Sequence, residues 1–147
     1  MGLATAAEPA AFEGIKKDVT QASGVNIHFT HAQPGELEMI RAAGFKTVRM
    51  DITWEATEKT RGVYDFQAYD HLMQSLEANG LKAVLILNYS NRLYENLRSV
   101  TTDEGRAAYA RWAAAVVDHF RGKGIIWEIW NEPNIEGFWK PKPNADD

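Results

Sequence analysis

The chain has 147 residues, of which 45% are hydrophobic and 24% are charged, and its formal net charge is −4. This make-up is typical of one folded globular domain and differs from that of disordered, collagenous or membrane-spanning proteins. Basic residues are scattered among acidic ones, which argues against a nucleic-acid partner. Because the chain has no cysteine, disulfides and thiolate metal sites are excluded.

The two ends of the chain carry weak structural signals. Met1–Glu8 lacks the basic and apolar regions of a signal peptide, although a secreted or periplasmic parent protein is compatible with such a start. No apolar run is long enough to cross a membrane, so we expect no membrane partner. We expect a tail or short element at residues 1–23, one structured domain at 24–141 and a C-terminal tail at 142–147.

The first predicted unit is a strand followed by a helix. Residues 25–29 alternate apolar and polar side chains, as a strand does. A helix follows, with Pro34 in its first turn and Gly44 at the position of a C-terminal cap. Residues 47–54 are rich in β-branched side chains and predict a second strand.

The second connection is longer than the first. Residues 55–65 contain several turn formers, and we expect a connection too polar to enter the core. Residues 66–80 then predict a helix that ends in Asn-Gly. Its apolar stripe consists of Tyr69, Leu72, Met73 and Leu76.

The last two strands are the most apolar ones. Residues 82–89 are nearly continuously apolar, which is typical of a parallel strand buried on both faces. After a loop at 90–100, the longest helix begins near Thr102 and ends before Gly122. Residues 125–130 form the fourth predicted strand.

Alternating strands and helices indicate a parallel sheet with right-handed crossovers. Part of an eight-stranded α/β barrel and an open doubly wound sheet both accept this pattern. The first strand is followed by residues 30–34, which lack a Gly-rich phosphate loop, so the barrel is favoured. Four βα units form a half-barrel with exposed sheet edges, and we expect self-association into a homo-oligomer, a dimer or larger.

Polar side chains gather where these strands end, which is where barrel enzymes place reactive groups. Residues 130–134, Trp-Asn-Glu-Pro-Asn, follow the fourth strand and resemble the acid/base motif of clan A glycoside hydrolases. Residues 24–28, 44–49 and 136–141 resemble the family 39 branch and its cellulase-like relatives. The resemblance extends from about residue 24 to residue 141.

The resemblance implies a (β/α)8 TIM barrel that hydrolyses a β-linked glycan with retention of configuration. Glu132 would be the general acid/base, Asn131 would bind the sugar 2-hydroxyl, and Arg49 would lie below the nucleophile. No cofactor is expected. His28 and His31 could act with Asp51 as metal ligands, but single histidines on separate elements are more often ordinary polar contacts, so no metal is predicted. The candidate substrate-binding residues are His28, Arg49, Trp54, Asn88, Tyr89, Asn131 and Trp139.

Several of these assignments have structural alternatives. Arg49 could form an ion pair with Asp51 or Glu55. Trp54 and Trp139 could be buried at an interface and not stack on sugars.

The resemblance also predicts an incomplete catalytic pair. A retaining enzyme needs a second carboxylate about 5 Å from the first. In this clan that nucleophile follows the seventh strand, whereas four strands are predicted here. Glu128 lies four residues before Glu132 on one strand, roughly 13 Å away at the rise of a strand. We therefore expect a chain that is inactive or weakly active alone, with a non-catalytic carbohydrate-binding or self-assembling module as the alternative.

Overall fold

The computed structural model describes residues 23–146, so almost all of the predicted N-terminal tail lies outside the described residues. In chain order the elements are β1 Gly24–Asn26, α1 Glu36–Ala42, β2 Thr47–Thr53, α2 Trp54–Thr57, β3 Glu58–Thr60, β4 Val63–Tyr64, α3 Gln67–Ala78, β5 Lys82–Asn88, α4 Asp103–His119 and β6 Ile126–Ile129. The main sheet has four parallel strands in the order β1-β2-β5-β6, and β3 and β4 form a separate antiparallel pair.

The strand order of the main sheet follows the chain, as it does for consecutive strands of a barrel. A doubly wound sheet reverses its order at a switch point, and no reversal occurs between β1 and β6. All four predicted strands are present, although β1 and β6 are shorter than expected. Of the helices in residues 23–146, none is long and apolar enough to span a membrane.

One face of the sheet forms the hydrophobic core. Val48, Ile52, Leu85 and Leu87 point to this face, and each is at most 1% exposed. They belong to one cluster with apolar side chains of the three longer helices α1, α3 and α4. Burying each such side chain contributes about 2 kcal/mol.

Helices α3 and α4 begin and end close to the predicted positions, whereas α1 begins at Glu36, so Pro34 precedes the helix and does not lie in its first turn. In α3 the buried residues are the expected Tyr69, Leu72, Met73 and Leu76. Helix α4 begins as predicted, because the Thr102 side chain accepts a hydrogen bond from the Gly105 N–H at 2.9 Å and so caps the first turn.

The connection at residues 55–65 differs from the expectation of a polar surface loop. It contains α2 and the β3–β4 pair, and the Glu58 side chain is only 1% exposed. Glu58 accepts hydrogen bonds from the Trp54 indole, from the Gly62 N–H at 2.6 Å and from the Tyr94 hydroxyl at 2.6 Å. These donors replace water around the carboxylate, which is why a charged residue enters the core here.

Candidate active site

The segment that carries Glu132 leaves the sheet through a strained turn. Trp130 and Glu132 have φ values of 58° and 50°, in the left-handed region that residues other than glycine rarely adopt. Each such residue costs on the order of 1 kcal/mol, so neighbouring contacts must hold it. The Trp130 N–H donates to the Leu87 carbonyl at 3.2 Å, and its indole donates to the Phe138 carbonyl at 3.0 Å. Glu132 itself is exposed at the carboxyl end of β6.

Asn131, between the two strained residues, is fixed from two sides. Its backbone N–H donates to the Asn88 side-chain oxygen at 2.8 Å. Its side-chain oxygen accepts from the Arg49 guanidinium at 2.9 Å. Asn88 in turn donates to the Asp51 carboxylate at 2.7 Å. Side chains from β2 and β5 therefore set the position of the residue next to Glu132.

Arg49 forms a two-point ion pair with Glu128, at 2.8 Å and 2.6 Å between nitrogen and oxygen. The side chains are 30% and 37% exposed. The hydrogen bond to Arg49 holds the pKa of Glu128 below its ordinary value, and the same bond raises the pKa of Arg49. An ion pair of Arg49 with Asp51 or Glu55 was one structural alternative. Arg49 does form an ion pair, but its partner is Glu128.

A cavity of about 200 Å³ opens beside this network. It brings together four of the predicted substrate-binding residues, His28, Arg49, Tyr89 and Asn131. The Tyr89 ring packs against Phe138 and Trp130, with ring centroids 6.0 Å and 5.5 Å apart. A tyrosine hydroxyl is neutral and able to donate at neutral pH, and burial raises the pKa of Tyr89 further from that range.

Two predicted sugar contacts are wrong. Trp54 is 0% exposed and stacks on Tyr94 and Trp112 inside the core, so no sugar ring reaches its face. Asn88 is also 0% exposed, and its side chain is occupied by Asp51 and Asn131. Asn88 therefore positions the site from below and does not contact a ligand.

Trp139 is 9% exposed and packs on Trp130 with ring centroids 4.9 Å apart. Its remaining edge borders a cavity of about 440 Å³ together with Pro133 and Pro143. Stacking of this ring on a sugar remains a prediction.

Asp51 and Glu128 are the residues of the site that the predicted set omits. The sheet register places both beside Ile86, on the same face as Arg49. The alternation along each strand predicts which of its residues share a face, but only the register between strands shows which residues of neighbouring strands lie side by side. Residues 23–146 hold no group of three histidine or acidic side chains arranged for a metal ion.

Comparison with known proteins gives the family. The model of the family described as Cellulase (glycosyl hydrolase family 5) matches residues 13–145. The probable mannan endo-1,4-beta-mannosidase A-1 of Aspergillus terreus is 27% identical, over 81% of this chain and 37% of its own length. Endo-1,4-beta-xylanase C of Phanerodontia chrysosporium is 27% identical, over 59% of this chain and 23% of its own.

A solved structure supports the same conclusion for the fold. A family 39 glycoside hydrolase from Bacteroides cellulosilyticus is similar with a TM-score of 0.67 and 27% identity, over 78% of this chain and 25% of that one. The chain thus spans well under half the length of these relatives. The predicted partial TIM barrel of a clan A glycoside hydrolase is confirmed, and the chain belongs to the cellulase family, glycosyl hydrolase family 5.

Proposed function

We propose that this chain supplies the acid/base half of a retaining glycosidase site for a β-1,4-linked polysaccharide. The observation that carries the proposal is the placement of Glu132, exposed on a strained turn at the end of the fourth strand of the sheet. The linkage comes from the names of the two curated relatives, both endo-1,4-beta enzymes.

Glu132 and the side chains that line the neighbouring cavity each have a chemical task under this proposal; Asn131 lines the cavity, and Glu132 is the next residue along the chain. Glu132 protonates the oxygen of the leaving sugar and later removes a proton from water. Asn131 offers its side-chain amide to a sugar hydroxyl, and its fixed position limits where the sugar ring can lie. The exposed His28 and the neutral Tyr89 hydroxyl supply further hydrogen bonds at the cavity wall.

The second carboxylate of the pair is not supplied by the sheet described here. The family resemblance assigns it to the end of the seventh strand, whereas the main sheet of residues 23–146 has four. Glu128 lies on the strand that precedes Glu132, and its carboxylate is held in the ion pair with Arg49. We therefore expect residues 23–146 to bind and orient a glycan, and to hydrolyse it weakly or not at all on their own.

The role of Glu132 can be tested without hydrolysis. N-bromoacetyl-β-cellobiosylamine places an alkylating carbon near the position of the leaving oxygen. A carboxylate there displaces bromide and forms an ester, which peptide mapping by mass spectrometry locates. We expect labelling at Glu132, slowed by excess cellohexaose and absent in Glu132→Gln.

Glu136→Gln is the matched control, because Glu136 is exposed in the same loop. It should be labelled at Glu132 like the parent chain. Equal labelling of all exposed carboxylates, or none at Glu132, would contradict the acid/base assignment.

A non-catalytic carbohydrate-binding module is the second candidate function. It is favoured by the Arg49–Glu128 pair, which engages the guanidinium that the family resemblance assigns to the nucleophile. Calorimetric titration with cellohexaose, mannohexaose and xylohexaose separates the two. Binding without site-directed labelling supports this second candidate, and labelling at Glu132 with binding supports the first.

A further inference from the structure

A larger cavity, of about 490 Å³, lies beside the candidate active site. The segments that follow β2 and β5 form it, at the same end of the sheet as Glu132. Its lining includes three cationic side chains, Lys59, Arg92 and Arg98, and two carboxylates, Glu55 and Glu95. We call it the cationic cavity.

Two of its three cations have no carboxylate partner within residues 23–146. Arg92 lies 3.6 Å from Glu55 in an exposed ion pair. Glu95, which also lines the cavity, is 6% exposed and directs its carboxylate to Thr102, accepting bonds of 3.0 Å and 2.9 Å. Lys59 and Arg98 thus remain for an external anion.

The cationic cavity adjoins the smaller cavity through one side chain. Tyr89 borders both, and the Arg98 guanidinium lies over its ring at 5.0 Å from the centroid. Arg98 also donates to the Gly137 carbonyl at 3.2 Å, and its own carbonyl accepts from the Lys140 N–H at 3.0 Å. Arg98 is therefore tied to the loop that follows Glu132.

We propose that the cationic cavity binds the carboxylate of a uronic-acid unit carried by the glycan at the Glu132 site. This inference rests on the proposed function and adds a substrate class to it, an acidic branched β-1,4-linked polysaccharide. A sugar that extends from the smaller cavity past Tyr89 meets Arg98 first. The guanidinium fork suits a carboxylate, and Lys59 adds a second charge.

The affinity gain has an expected size and salt dependence. Contacts of one carboxylate with two exposed cations, each worth up to about 1 kcal/mol, together give on the order of a tenfold increase in affinity. Because both cations are exposed, ions screen the contact, and about 0.5 M salt should remove most of the gain.

The test compares two ligands of equal backbone length by isothermal titration calorimetry. The ligands are xylohexaose and a xylohexaose that carries one glucuronic-acid branch. We expect the branched ligand to bind about tenfold more tightly at low salt and about equally in 0.5 M NaCl. Lys59→Gln and Arg98→Gln should each remove much of the affinity difference between the two ligands. The affinity of Lys59→Gln for the linear ligand should change little.

Lys82→Gln is the matched control, since Lys82 is exposed at the opposite end of β5 and its loss changes the net charge equally. It should keep the full difference between the two ligands. If the branched ligand binds no more tightly than the linear one, the uronate inference is wrong. If no neutral hexasaccharide binds, the proposed function is contradicted instead. Equally tight binding of free glucuronate or inorganic phosphate would make the cavity a free-anion site and would also overturn the inference.

Discussion

The two faces of the main sheet come from alternate residues of the same strands, yet they are built in different ways. The helix-facing side carries Val48, Ile52 and Leu85, all fully buried. The opposite side carries Arg49, Asp51 and other polar groups joined by hydrogen bonds across three strands. The first face is stabilised by apolar volume, and the second by specific partners.

This difference separates what holds the chain together from what positions its candidate site. An apolar face tolerates exchange among side chains of similar volume. A polar network does not, because removal of one member leaves its partners without hydrogen bonds. Substitutions on the apolar face should therefore change stability, and those on the polar face should change the Glu132 site more than stability.

The largest expected effect concerns Trp54, which lies in the apolar core. Trp54→Ala should lower the free energy of unfolding by about 3–5 kcal/mol, because it opens a cavity among Tyr94 and Trp112. Urea denaturation followed by circular dichroism measures this loss. Met39→Ala, at a side chain that is 66% exposed, should stay within about 0.5 kcal/mol of the parent. A Trp54→Ala chain that is as stable as the parent but has lost glycan binding would support sugar stacking by Trp54. It would contradict the separation between an apolar face that sets stability and a polar face that sets the site.

Asn88 tests the polar network where it is fully buried. Asn88→Ala removes one hydrogen bond to Asp51 and one to the Asn131 N–H, with an expected cost of about 2 kcal/mol. Labelling of Glu132 by the bromoacetyl probe should also slow at least severalfold, because the strained turn loses its anchor. Ser90→Ala, on the same segment and without a side-chain hydrogen bond among the described residues, serves as the control and should label at the parent rate. Unchanged labelling in Asn88→Ala would show that the turn holds its geometry without β5.

The sequence predicted the apolar face better than the polar one for a physical reason. Burial follows a local period, so the strands and the stripe of α3 could be identified from neighbouring residues. The buried Glu58 depends on Tyr94, 36 residues away, and the Arg49–Glu128 pair spans 79 residues. No local pattern encodes such partners.

The misassigned residues follow the same logic. Trp54 and Asn88 come at or directly after the ends of strands, where a polar or aromatic side chain can turn toward the cavity or into the core. The motif around Glu132 was informative because its order of residues carries the family resemblance. Its contacts with Asn88 and Arg49 became visible only in three dimensions.

The Arg49–Glu128 pair should contribute a small, pH-dependent stability. The folded-state pKa of Glu128 is depressed, so its contribution is fully present above the unfolded value of about 4.3 and is lost as the pH falls through the folded value. Since both side chains are about one-third exposed, solvent screening limits it to less than about 1 kcal/mol. Glu128→Gln should therefore be slightly less stable at pH 7, and the difference should shrink as the pH is lowered below about 4. Glu136→Gln, at an exposed side chain without an ion pair among the described residues, is the matched control.

The smallest effect on stability is expected at Ile129, on the helix-facing side but 63% exposed. Strand β6 pairs with β5 alone among the described strands, so its other edge is open to a second copy of the chain. Ile129→Lys should change the free energy of unfolding by about 0.5 kcal/mol or less, yet shift the sedimentation of the chain toward the monomer, because a charge on an edge strand opposes pairing. Ile135→Lys is the control, since Ile135 is 44% exposed in the loop beyond the strand and should leave sedimentation unchanged. A parent chain that is monomeric at all concentrations would contradict self-association through this edge, and Ile129 would then stay exposed to solvent.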